Sequence, residues 1–156
     1  MAESARGLRT ALLLVAGALL GLALLLYTRG EYGPLGPEAV PYDQVPCARC
    51  RMLVSEPRFA AQLRLEEGGV RFFDDPGCLL LWRHEHPEDR GRAFFHHHRE
   101  EAWIGEEEVA FVAVLEPTPM GYGLGAVRRG ESEEALLPAE AFARLLATHR
   151  PTGAAP

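Results

Sequence analysis

The stretch Phe59-Ala60-Ala61-Gln62-Leu63-Arg64-Leu65-Glu66-Glu67-Gly68-Gly69-Val70-Arg71-Phe72-Phe73-Asp74-Asp75-Pro76-Gly77-Cys78 decides the fold. Phe59, Ala61, Leu63 and Leu65 alternate with Ala60, Gln62 and Arg64, the period of a half-buried strand. Glu66-Glu67-Gly68-Gly69 is a turn, and Val70 to Phe73 makes a second short strand, so the pair predicts a hairpin. Asp74-Asp75-Pro76-Gly77 then opens a helix, with an aspartate as N-cap and proline at the first helical position. That helix runs from Gly77 to about Glu85, with Leu80, Leu81 and Trp82 as its apolar part, and Pro87 stops it. Cys78 lies in its first turn, where the helix dipole favours a thiolate. A small buried cysteine beneath the helix is the plainer reading of Cys78.

Downstream, Ala93-Phe94-Phe95 begins another strand that runs into His96-His97-His98. On a strand these three imidazoles cannot converge on one ion, so they read as surface residues at a strand end, one of them available as an extra ligand. Trp103-Ile104 with the segment from Glu106 to Leu115 reads as a short helix giving way to a strand, Glu106-Glu107-Glu108 suiting the helix N-terminus. Thr118 to Gly125 is a glycine-rich loop around Met120, without the spacing of a phosphate-binding loop. Val127 closes a strand, Arg128 to Glu134 is a charged turn, and Leu137, Phe142, Leu145 and Leu146 have helical spacing within Leu136 to Thr148.

Upstream, the chain carries Pro46-Cys47-Ala48-Arg49-Cys50-Arg51-Met52, two of its three cysteines and a methionine within six residues. Clustered thiolate and thioether donors suit Cu(I), zinc or an iron–sulfur centre better than a hard cation. Cys50 and Met52 share a face if the segment is a strand, and Cys47 can turn in to join them or pair with Cys50. Met120, between proline and glycine on a loop, is a further soft-ligand candidate. An odd count of three cysteines points to chemistry rather than a disulfide scaffold.

The uncharged run from Thr10 to Tyr27 is 18 residues long, about 27 Å as a helix and enough for a bilayer core. Arg6 and Arg9 precede it and Arg29 follows, which places the N-terminus in the cytoplasm and the remainder outside. A cleaved signal peptide is the competing reading, with no small-x-small cleavage site to support it. The expected organisation is an anchor over 1–29, a Pro/Gly-rich tether over 30–44, a domain over 45–148 and a tail over 149–156. The 156 residues are 47% hydrophobic and 24% charged, with a net charge of −6. That balance fits one globular domain and argues against nucleic acid as partner.

Taken together, the chain resembles the NosL family, copper-binding accessory proteins of nitrous oxide reductase. The resemblance spans about residues 45–147. It rests on Cys47-Ala48-Arg49-Cys50-Arg51-Met52, Phe59 to Leu63, Phe73-Asp74-Asp75-Pro76-Gly77-Cys78, Trp103-Ile104 with Ala110-Phe111-Val112, and Thr118-Pro119-Met120-Gly121. It implies an α+β fold of two similar ββαβ-type units, with a core like that of organomercurial lyase; the N-terminal transmembrane helix read from the apolar run stands in front of it, where many relatives are lipoproteins instead. It implies a non-enzymatic, membrane-attached metallochaperone on the periplasmic side, delivering Cu(I) to nitrous oxide reductase or its assembly machinery. Cys50 and Met52 match the family's Cys-x-Met ligands, with Met120, Cys47, Cys78 or a histidine as third donor. Arg51 stands where the longer CxxCGM form has glycine, and no lipid-bearing cysteine is present. The rival reading from the residues is a thiol–disulfide oxidoreductase using Cys47 and Cys50. A structural zinc site would want four ligands, and with no second CxxC it would fall to Cys78 and a histidine to complete it.

Overall fold

The computed structural model describes residues 15–21 and 36–148. The chain divides into two compact units, Met1–Gly36 and Pro37–Pro156. In the first, residues 15–21 form a helix (α1) with Val15, Leu19 and Leu20 exposed. Among the described residues no helix is long and apolar enough to cross a membrane. The remainder of the expected anchor, residues 30–35 of the expected tether and the tail over 149–156 lie outside the described residues.

The second unit is α+β. The hairpin forms as expected: β1 (Ala61–Leu65) pairs antiparallel with β2 (Val70–Phe73), Ala61 opposite Phe73 and Arg64 opposite Val70. The turn works because Gly68 and Gly69 take φ of 100° and 89°, where a Cβ is strained. Helix α2 (Pro76–Glu85) follows, capped by Asp75 with proline inside the first turn. Strand β3 (Gly91–His96) returns to lie on the other side of β1, and β4 (Trp103–Gly105) pairs with β3. The order is therefore β2-β1-β3-β4.

Strands β5 (Val109–Ala113) and β6 (Leu124–Arg128) form a separate two-stranded antiparallel sheet. A parallel bridge between His97 and Ala126 joins it to the end of β3. Helix α3 (Pro138–Thr148) closes the described chain, burying Ala141 and Leu145. The core gathers Phe59, Phe73, Phe95, Phe111, Leu63 and Leu79, with Phe95 and Phe111 edge to face at 5.1 Å.

Three sequence expectations are corrected. Strand β1 is not half-buried: Ala61, Gln62, Leu63 and Leu65 are all buried, because β1 is an interior strand covered on both faces. Gln62 is satisfied there by Glu38, donating to its carbonyl at 3.0 Å and accepting from its N–H at 2.7 Å. From Glu38 onward the chain is thus held against the sheet, and Val40, Tyr42 and Val45 pack on the core.

The second correction concerns Trp103 to Glu108, which holds no helix. Trp103–Gly105 is a strand and Glu106-Glu107-Glu108 is the turn into β5. Pairing with β3 captures this short segment, and Glu106 and Glu107 form ion pairs with Arg83 and Arg92 instead of capping a helix. Third, the histidines are not surface residues. His96, His97 and His98 are 5%, 0% and 3% exposed, since the bridge to β6 folds the second sheet over the strand end.

Candidate metal centre

The cysteine loop is built by backbone hydrogen bonds. Cys47 N–H donates to the Met52 carbonyl at 2.7 Å, Arg51 N–H donates to the Cys47 carbonyl at 3.1 Å, and Pro46 and Leu53 form an antiparallel bridge. Residues 48–50 are the turn. To close it, Arg51 adopts φ of 70°, a left-handed conformation that suits glycine. Cys50 and Met52 therefore do not sit on a regular strand. Cys50 turns toward the core, whereas Met52 stays 51% exposed.

One further bond docks this loop: Ala48 N–H donates to the Phe72 carbonyl at 2.8 Å, at the end of β2. Two residues beyond Phe72 the chain reaches Asp74, and one turn of helix later Cys78. The Sγ atoms of Cys47, Cys50 and Cys78 and a carboxylate oxygen of Asp74 consequently all lie within 4.8 Å of one another. Cys47, Cys78 and Asp74 are buried, Cys50 is partly exposed, and all three thiols are free. The Cys50 thiol donates to both Asp74 oxygens at 3.3 Å.

The thiols share their protons unequally. Hydrogen bonding from Cys78, opposed by burial, draws the Cys47 thiol down to about 7. Cys78 is pushed up by the same bond to Cys47 and by burial. Burial, with Cys47 and Asp74 as anionic neighbours, pushes Cys50 up to about 12. Cys47 is therefore the thiol of the cluster that gives up its proton most readily, and an incoming soft metal displaces the protons of Cys50 and Cys78.

Helix α2 and the glycine-rich loop frame the cluster. Asp75 is fully buried; its Oδ1 accepts from Gly77 N–H at 2.8 Å and its Oδ2 from Met120 N–H at 3.2 Å. This bond ties the Met120 loop to the helix start, and the Met120 side chain packs partly buried against the core. Burial raises the Asp75 carboxyl to about 6. Gly77 has no Cβ because Tyr122 lies against it: a Cβ there would sit 2.4 Å from Tyr122 Cδ2. Arg49, between the two loop cysteines, clasps Glu85 with two bonds of 3.0 and 2.7 Å and donates to the Tyr122 hydroxyl at 3.0 Å.

Of the sequence candidates, the fold brings Cys47 and Cys50 together, adds Cys78, and supplies Asp74, which the sequence offered only as part of a helix start. The four-residue spacing of Asp74 and Cys78 across a helix N-terminus was the available signal, since it sets both groups at one helix end. His96 and His97 are engaged elsewhere. His97 Nδ1 accepts from the N–H groups of Arg99 and Glu100 while Nε2 faces Glu131, and His96 Nδ1 contacts the His97 carbonyl at 3.0 Å. A cluster of three sulfurs and one carboxylate, buried except for Cys50, is a donor set for a soft or borderline metal ion. No protein-family model, no curated protein and no solved structure matches the chain.

Proposed function

We propose that this chain is a membrane-anchored, extracytoplasmic Cu(I) carrier of the NosL kind, handing copper to a copper enzyme such as nitrous oxide reductase. The observation that carries the reading is the convergence of Cys47, Cys50 and Cys78 with Asp74 within 4.8 Å. Cu(I) prefers two or three soft donors, and thiolates in that number hold it while leaving room for a partner's ligand to displace one. Cys50 is the partly exposed thiol of the set, so it is the ligand an acceptor would reach first. Half-exposed Met52 and loop-borne Met120 are the thioethers that would receive or guard the ion. The ββα order of β1-β2-α2 recurs in β5-β6-α3. That recurrence supports the two-unit, organomercurial-lyase-like architecture.

Anaerobic Cu(I) titration tests the reading, with the wild type beside Cys47→Ala, Cys50→Ala, Cys78→Ala and Met52→Ala. One Cu(I) per chain, lost or much weakened in the cysteine variants, is the expected result; indifference to all of them would sink it. A second reading is favoured by the depressed Cys47 thiol beside two protonated neighbours. A thiol–disulfide oxidoreductase needs such a nucleophile. It predicts a measurable Cys47–Cys50 reduction potential and thiol exchange without copper.

A further inference from the structure

Next to the cysteine loop lies an open groove of about 370 Å³, walled by Val45, Pro46, Val70, Phe72 and Trp82. Its floor shares Ala48 with the ligand-bearing turn, and Arg51 and Arg71 also line it. Met52 and Leu53, each 51% accessible, follow Arg51 directly in the chain. Arg51 is the informative residue. Its left-handed backbone, at φ of 70°, is strained for any residue with a Cβ. Loop closure accounts for the backbone, but the side chain has no role inside the protein: it is exposed, and among the described residues no carboxylate pairs with it. Arg71 is half-exposed and, among the described residues, pairs with Asp89 through Nε at 3.4 Å. The chain as a whole carries a charge of −6, so two accessible guanidinium groups beside an apolar groove are a local reversal of sign.

We propose that this groove is the docking site for an acidic segment of the metal-receiving protein, one bearing an apolar or aromatic side chain. The apolar walls take that side chain, and Arg51 and Arg71 pair with flanking carboxylates. Because Arg51 adjoins Cys50 in sequence, an occupant of the groove arrives beside the most accessible ligand. A volume of this size admits one or two side chains, which suits a transient encounter rather than a permanent complex. That the occupant is a metal receiver rests on the carrier reading above; the ligand chemistry of the groove does not.

The test uses the full chain in a non-ionic detergent and two fluorescein-labelled hexapeptides, Asp-Glu-Phe-Leu-Asp-Glu and its counterpart with lysine at every acidic position. Fluorescence anisotropy is read for the wild type, for Arg51→Glu and for Arg144→Glu, an equal charge change on α3 away from the groove. Tighter binding of the acidic peptide is expected, about tenfold weaker in Arg51→Glu, unaltered in Arg144→Glu, and falling with added salt. Equal binding of the two peptides, equal losses in both variants, or no binding by the wild type would overturn the proposal. So would a dimer that Arg51→Glu dissociates, since a second copy would then be the occupant. Cu(I) titration of the same samples keeps the two ideas apart. A wild type that binds peptide but no Cu(I) would remove the carrier while leaving the groove.

Discussion

Arg51 and Asp75 show how single residues bear strain at this site. Arg51 holds φ of 70° to close the cysteine loop, where glycine carries no Cβ penalty. Arg51→Gly should therefore stabilise the fold, by up to about 1 kcal/mol once the extra freedom of the unfolded chain is subtracted. Chemical denaturation is the measurement, and a destabilised variant would contradict the strain argument. Asp75 is buried, and its carboxyl sits near 6 in the folded chain against an ordinary 3.8. The folded state thus binds a proton more tightly than the unfolded state. This contribution to stability is full below about pH 4 and is lost as pH rises through 6. The stability of wild type relative to Asp75→Asn should fall by about 2–3 kcal/mol between pH 4 and pH 7. Denaturation curves at the two pH values would check it; an unchanged or opposite difference would refute it.

At the scale of elements, the site depends on the close approach of α2 and the glycine-rich loop. Tyr122 lies over Gly77 and receives a hydrogen bond from Arg49, so one aromatic ring joins the helix start, the cysteine loop and the Met120 loop. Gly77→Ala should cost about 1–3 kcal/mol, because the added methyl would lie 2.4 Å from the ring. The Gly77→Ala/Tyr122→Ala double variant should then lose less than the sum of the single changes. A double-mutant cycle by thermal or urea unfolding measures this, and strict additivity would mean that the two residues do not press on one another. The start of α2 could be foreseen: Asp75 and Pro76 are cap and first-turn residues whose preferences act within a few positions. The segment Trp103–Gly105 could not, because three residues carry no period and pairing with β3 decided its state.

For the whole molecule, the sulfur cluster ties distant parts of the chain together. A ligand bound only by the folded state stabilises it by about 2.7 kcal/mol at one hundred times its dissociation constant. For a domain of this size, Cu(I) loading should raise the melting temperature by about 10 °C. Cys78→Ser should largely abolish that increment, and calorimetry under anaerobic conditions reads both. An increment that survives in Cys78→Ser would place the metal outside the cluster.

Local sequence was sufficient for the hairpin at Gly68-Gly69, the helix at Asp75-Pro76, the strand through Phe94-Phe95 and the terminal helix over Pro138–Thr148. Turn chemistry, capping and hydrophobic period all act over a handful of neighbouring residues, so the chain states them directly. It also named Cys47 and Cys50 as a chemical pair. What only the tertiary structure decided is which groups meet them. Asp74 and Cys78 arrive through the Ala48–Phe72 bond that seats the loop on β2. Gln62 is buried under the segment at Glu38, and the three histidines under the second sheet. Such meetings follow from register and packing between segments tens of residues apart, a balance no local pattern records.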